Sequence, residues 1–291
     1  MPSRIQVLTP TEPLIAAGLE RRLLLPSDPE YDTLQASYWS KCARLAPAAI
    51  LRPQSAIEVC PALEALIAAD QKFAIRSGGH SQWAGANNVD GGGVTIDLGL
   101  LNWTRFDEAT ETVDIGPGAR WKEVYQALRE HRRTVAGGRD GNVGVGGFLL
   151  GGGKTFFAAE RGFACDDVVS FEVVLAGGGG GLDGNASDGS EHAECRVVTA
   201  TAEQHQDLFF ALKGGSNNYG IVTNFRMRAI PSESVWAGLN FFPKQMKAEA
   251  TQALVAYTND VYEHPDSHLL FFLTYMVSFQ YINWPGKEDS P

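Results

Sequence analysis

Three blocks of glycine constrain this chain more than any other feature: Gly78-Gly79, the run from Gly137 to Gly153, and Gly214-Gly215. Glycine has no Cβ, so it is favoured where backbone turns through positive φ or lies close to other backbone or a ligand. Each block adjoins a short apolar segment: Phe73-Ala-Ile75, Phe148-Leu-Leu150 and Ile221-Val222. Clustered glycines in a globular chain mean tight turns, or backbone that comes close to something. No Gly-X-Y period exists, which excludes collagen. Apolar residues at 44% against 20% charged exclude a disordered chain. The net charge of −10 argues against a nucleic-acid partner, which needs a basic face.

Periodicity supplies the elements. A short helix is expected within 12–24, then a polar, Pro-containing stretch, Pro26 to Asp32. Pro47–Leu51 reads as a strand. Ser55 caps a helix to about Asp70, expected to bury Ile57, Leu63, Leu66 and Ile67. Phe73–Ile75 and Val94–Leu98 are strands, so this part reads as a small α/β unit. A second unit follows: strands at 103–106 and 112–115, and a helix from Arg120 to His131 with Trp121, Val124 and Leu128 inward. It continues with strand 168–175, helix 203–212 and strand 220–229. A third block begins at Ser234, with strand 235–241, helix 246–262 and strand 269–279. Gly177–Gly181 opens a polar loop to about Glu194, expected at the surface and mobile.

Several motifs fail on inspection. Gly151-Gly-Gly-Lys-Thr155 resembles the end of a phosphate-binding loop, but the required first glycine is Phe148. Gly179, Gly181 and Gly184 match a dinucleotide pattern with no helix start after them. Gly214–Asn218 lacks the last glycine of a nucleophile elbow. His264 and His268 flank a proline and read as surface residues rather than a zinc site, and no metal is expected. Cys42, Cys60, Cys165 and Cys195 form no C-x-x-C pair and read as free thiols. Met1 to Thr11 has no apolar core of signal-peptide length, and Leu269–Val277 is too short to span a bilayer. The chain therefore reads as soluble, cytoplasmic or of unknown compartment, with no membrane partner and its oligomeric state open. The sequons at Asn102 and Asn185 are expected to be silent.

His80 stands apart. It follows a buried strand and two glycines, in a loop whose successive N–H groups can form an anion-binding nest. The second glycine block, with Val143 and Val145 among small residues, suits backbone laid against a flat, polyanionic ligand. Singly, each segment reads as a tight loop. Together with Gly214-Gly215 they point to a nucleotide-cofactor cleft.

The sequence resembles the FAD-linked oxidases of the vanillyl-alcohol oxidase/PCMH superfamily, in the berberine-bridge-enzyme-like branch. The stretches that carry the resemblance are "ILRPQSAIEV" (50–59), "AIRSGGHS" (74–81), "VTIDLGLLN" (94–102), "VDIGPGARWKEVYQAL" (113–128), "GGRDGNVGVGGFLLGGG" (137–153), "GFACDDVVSFEVVLA" (162–176) and "DLFFALKGGSNNYGIVTNF" (207–225). The resemblance implies an α+β, PCMH-type FAD-binding fold of two α/β subdomains, followed by the start of a truncated substrate domain. The boundaries expected are a helical extension at 1–40, the FAD-binding domain at 41–232 and a partial substrate domain at 233–291.

It further implies that His80 bonds covalently to the 8α-methyl carbon of the flavin. Arg76, Ser77, Gly78, Gly79 and Ser81 match the pyrophosphate loop. Gly144, Val145, Gly146 and Gly147 match the segment beside the isoalloxazine and ribityl chain, and Gly220, Ile221 and Val222 the strand start facing the cofactor. Val143 matches the position that gates O₂. The implied reaction passes hydride from a small-molecule alcohol or secondary metabolite to flavin N5, and electrons on to O₂. Three departures are notable. Asp140 stands where bicovalent relatives carry cysteine, so one tether is expected. Residues 177–196 lengthen a hairpin connection. The third block stops early; Tyr281-Ile-Asn283 copies a C-terminal motif only by chance, and no catalytic base can be named. The alternative is a flavin-binding but catalytically incomplete fragment.

Overall fold

The computed structural model describes residues 9–177 and 194–272. The chain opens with α1 (Glu12–Ala16), β1 (Leu23–Leu24) and α2 (Pro29–Ala36). It continues through β2 (Ala49–Leu51), α3 (Ala56–Ala68), β3 (Phe73–Arg76) and β4 (Val94–Asp97). The four strands form one sheet in the order β1-β2-β4-β3. β2 and β3 both run parallel to β4, while β1 closes the edge antiparallel to β2. Residues 9–40 are thus woven into the first sheet, and Leu14 and Leu19 share a core with α3.

The Ser55 hydroxyl accepts the Glu58 N–H at 3.4 Å, as a helix N-cap does. The face that α3 buries differs from expectation. Val59, Ala62, Leu63 and Leu66 are inside, whereas Ile57 is 80% exposed and Ile67 half-exposed. At about 100° per residue, Ile57 lies across the helix from Val59 and Leu66. Small Ala62 completes the buried stripe and lets the helix sit close to the sheet.

The second unit comprises β5 (Thr104–Asp107), β6 (Thr112–Ile115), α4 (Trp121–Arg129), β7 (Arg133–Thr134), α5 (Val145–Leu150) and α6 (Ala158–Arg161). After them come β8 (Val168–Leu175), β9 (Arg196–Thr201), α7 (Gln206–Leu212), β10 (Ile221–Arg228) and β11 (Ile230–Pro231). Its main sheet is antiparallel, in the order β5-β6-β10-β8-β9, and β7 pairs with β11 apart from it. Trp121, Val124 and Leu128 face inward as the helical spacing requires. Phe171 meets Phe225 and Phe209 edge-on, with centroids 5.7 and 5.6 Å away. Val174 and Ile221 of this sheet join the core of the first unit, beside Leu63 and Leu66. The units therefore share apolar packing.

Three further expectations are corrected. Cys60 and Cys195 are not free thiols but a disulfide, their Cα atoms 5.6 Å apart. Packing of α3 beside β8 and β9 brings them together across 135 residues of sequence, and the Cys195 N–H donates to Glu64 at 2.6 Å. Cys42 and Cys165 remain free. Residues 235–241 form no strand: the stretch is irregular, with Val235, Trp236 and Leu239 strongly exposed. Strand pairing needs a neighbour, and none lies beside it among the described residues. Of the expected strand 269–279, residues 269–272 are irregular and the rest lies outside the described residues, as do Asn185, most of the polar loop and Tyr281–Asn283. The expected helix is present as α8 (Lys247–Asp260).

The Cys60–Cys195 bridge ties the two units and closes a long loop. Removing it with Cys60→Ala/Cys195→Ala is expected to lower unfolding stability by about 2–4 kcal/mol, read by denaturant unfolding with and without reductant. Unchanged wild-type stability in reductant would show that the pair does not bridge in solution.

Candidate functional site

β3 delivers the first glycine loop at its C-terminal end, where Arg76 pairs in register with Asp97 of β4. The second loop, between α4 and α5, comes up against it at Gly144. The contact is backbone on backbone. A Cβ built on Gly78 would lie 2.5 Å from the Gly144 Cα, and one on Gly144 equally close to the Gly78 Cα. Arg120 fastens the junction: one guanidinium nitrogen donates to the Gly78 carbonyl at 2.9 Å, and another donates to the Asn142 carbonyl. The Ser77 hydroxyl donates to the Pro117 carbonyl at 2.6 Å. Between these loops and the start of β10 lies a cavity of about 560 Å³.

The structure gathers twelve of the fourteen site residues expected from sequence around this cavity. From the first loop they are Ser77, Gly78, Gly79, His80 and Ser81. The second loop contributes Val143, Gly144, Gly146 and Gly147, and the strand start contributes Gly220, Ile221 and Val222. Gly79 and Gly220 adopt φ of +65° and +129°, which other residues reach only under strain. A Cβ on Gly147 would meet open space. Among the described residues, the backbone N–H groups of Gly78, Gly79, His80 and Ser81 have no acceptor.

Arg76 and Val145 lie off the cavity wall. Arg76 is buried beneath the loop. It pairs with Asp97 at 3.1 Å, donates to the Leu34 carbonyl and the Ser37 hydroxyl, and lies 4.1 Å over the Tyr38 ring. Burial pushes the Tyr38 hydroxyl well above its ordinary range, so it stays a neutral donor to the Asn87 carbonyl. Val145 is fully buried behind the second loop, its N–H on the Ala119 carbonyl.

Sequence reasoning missed Trp83, Asn87, Pro117, Phe148, Ser216 and Phe225, which also line the cavity. Ser216 and Asn217 directly follow Gly214-Gly215 and could have been read with it. The Asn87 side-chain oxygen is buried with no partner, a feature no one-dimensional pattern reveals. His80 is the sole titratable side chain among the described residues lining the cavity. No metal-ligand cluster occurs among the described residues.

Comparison with known proteins agrees with this geometry. Residues 47–179 match the FAD binding domain family. The chain is 42% identical over 252 residues to the FAD-dependent monooxygenase drtC of Aspergillus calidoustus, covering 85% of this chain and 45% of drtC. It is 38% identical to the FAD-dependent monooxygenase sdcF of Emericella nidulans, covering 85% and 49%. Among solved structures, a xylooligosaccharide oxidase from Myceliophthora thermophila superposes with a TM-score of 0.64 at 30% identity, covering 77% of this chain and 43% of the oxidase. Wild-type BBE-like 1 of Physcomitrella patens gives 0.63 at 28% identity, covering 77% and 44%. The chain spans about half the length of the curated relatives it matches. Fold and site define an FAD-binding protein of the PCMH type. Within that class, residues 47–179 form an FAD binding domain, and the chain is similar to FAD-linked oxidoreductases of the vanillyl-alcohol oxidase/PCMH superfamily, BBE-like proteins among them.

The cavity fits such a group on its own terms. Glycines at 144, 146 and 147 leave a wall without side chains, and among the described residues four loop N–H groups, able to bind an anion, and the buried Asn87 oxygen have no partner. Because Gly78 and Gly144 touch through their Cα atoms, Gly78→Ala or Gly144→Ala must push the loops apart. Each is expected to weaken FAD binding by about tenfold or more, equivalent to about 1.4 kcal/mol, measured by flavin fluorescence titration.

Proposed function

We propose that this chain holds FAD covalently through His80 and serves as an FAD-dependent oxidoreductase. Its substrate class is a small alcohol or secondary metabolite, with O₂ as the electron acceptor. The observation that carries the reading is that, among the described residues, one histidine lies beside four unpaired backbone N–H groups in a cavity lined by no carboxylate, lysine or arginine. Bound FAD supplies a two-electron acceptor that takes a hydride at N5 and passes electrons to O₂. The N–H groups of residues 78–81 donate to the pyrophosphate, and Ser77, tied to Pro117, fixes the loop that presents them. Arg76 acts from below by bracing that loop against Asp97. Gly144, Gly146 and Gly147 admit the flat ring system, with Val145 anchoring their segment. Gly220, Ile221 and Val222 present backbone from the opposite side. Phe148, Leu150 and Phe225 exclude water, which strengthens the polar contacts that remain.

His80 supplies an unprotonated imidazole nitrogen for attachment. Asp140 is exposed and off the cavity wall, so attachment is through a single residue. Acid-precipitated holoprotein is expected to keep its yellow flavin, with the FAD mass on the tryptic peptide containing His80. His80→Ala should release the flavin to acid while still binding it. Complete release from the wild type would refute the linkage.

A second reading, flavin binding without turnover, is favoured by one observation: apart from His80, which the linkage would commit to the flavin, no base lines the cavity among the described residues. Oxygen reactivity distinguishes an oxidase from a dehydrogenase. Val143 borders the cavity, with its backbone pinned to Asp140 and Trp121. In dense packing a valine leaves about a methyl-sized gap that leucine fills. Anaerobically reduced holoprotein mixed with oxygenated buffer is expected to reoxidise rapidly, and Val143→Leu to slow this by about tenfold or more. Equal, slow rates in both would mark a dehydrogenase. No helix among the described residues is long and apolar enough to cross a membrane. The Cys60–Cys195 bridge favours maturation in an oxidising compartment over the cytoplasmic expectation.

A further inference from the structure

His80 is held in an unusual way. Among the described residues neither ring nitrogen has a hydrogen-bond partner. Its backbone follows Gly79, in the left-handed region at φ +65°. A histidine on such a loop would swing among rotamers. One ring meets it: the Trp39 indole stacks on the imidazole, with centroids 5.1 Å apart and planes 26° from parallel. The Trp39 backbone N–H also donates to the Gly79 carbonyl at 3.0 Å, so the segment that carries the indole is tied to the loop that carries His80.

Burial does not account for Trp39, which is 61% exposed. Its neighbour Tyr38 is 2% exposed and carries the Arg76 guanidinium. Two consecutive aromatics thus brace two residues of the glycine loop, Tyr38 from below at Arg76 and Trp39 at His80. Only the first has an obvious structural return. An exposed tryptophan stacked on a hydrogen-bond-free imidazole leaves both nitrogens available while restricting the plane of the ring.

We propose that Trp39 is a positioning residue for flavin attachment, holding the His80 imidazole in the plane from which a ring nitrogen bonds to the flavin. The inference rests on the His80 linkage above. In that step one C–N bond forms between the imidazole nitrogen and the 8α carbon. One C–H bond of the 8α-methyl group and one imidazole N–H bond break. The two protons and two electrons released pass to O₂, giving H₂O₂. Trp39 takes no part in the bond changes. It contributes orientation, for which an error of about 1 Å costs on the order of a hundredfold in rate.

The test separates binding from attachment. Chain purified with a subsaturating flavin load is incubated aerobically with FAD, and total and acid-stable bound flavin are followed in time. For Trp39→Ala the expected result is FAD affinity within about threefold of wild type, but acid-stable flavin forming about ten- to a hundredfold more slowly. Trp39→Phe, which keeps a stacking face, should recover most of the rate. Trp39→Leu, apolar but without that face, should remain slow, and it decides the matter should the alanine variant misfold. Attachment at the wild-type rate in both Trp39→Ala and Trp39→Leu overturns the role of Trp39 and leaves the His80 linkage standing. Absence of acid-stable flavin in the wild type overturns both.

Discussion

The site depends on one contact, the meeting of Gly78 and Gly144 through bare backbone. Two loops separated by 66 positions in sequence come within van der Waals reach only because neither carries a Cβ there. Such a contact has little cohesion of its own, since it buries no side chain. Its cohesion comes from Arg120, which donates to the carbonyls of Gly78 and Asn142 at once, and from Ser77 on Pro117. A cationic side chain binding carbonyls makes stronger hydrogen bonds than a neutral donor would. The glycines create the approach and the arginine maintains it.

Beneath this junction lies a second layer, off the cavity wall. Arg76 and Asp97 form a buried ion pair in register across β3 and β4. A buried pair adds little net stability compared with apolar packing, but losing either partner is costly because the other charge is stranded. Its value here is positional. Arg76 also contacts Leu34, Ser37 and Tyr38, so it holds the N-terminal segment against the glycine loop. That segment carries Trp39, and through it the ring of His80.

Local signals were legible in the sequence, and long-range ones were not. The glycine loops could be read because a missing Cβ is a property of single positions, and α4 because its apolar spacing is regular. The Cys60–Cys195 bridge could not, because its two halves lie 135 residues apart and acquire meaning only when α3 reaches β9. The buried face of α3 was misread because Ile57 and Ile67 outweigh Ala62 in hydrophobicity, whereas packing against the sheet selects the stripe that fits. Residues 235–241 alternate like a strand, yet a strand exists only with a partner. Arg76 was placed on the cavity by its position in the motif, while its charge is neutralised by Asp97 below.

The cavity's lack of charge has a chemical consequence. Its wall offers backbone N–H groups, small polar side chains and aromatic surface, with His80 as its sole titratable group among the described residues. Such a lining suits a polyanion held by hydrogen bonds alone. Among the described residues His80 is also the one side chain on this wall able to take a proton, and the proposed tether would commit it to the flavin. On the proposed reading the cavity therefore separates two tasks that would share one cofactor. Binding and tethering would fall to the residues between Ile75 and Phe225, and proton removal to a group outside that wall.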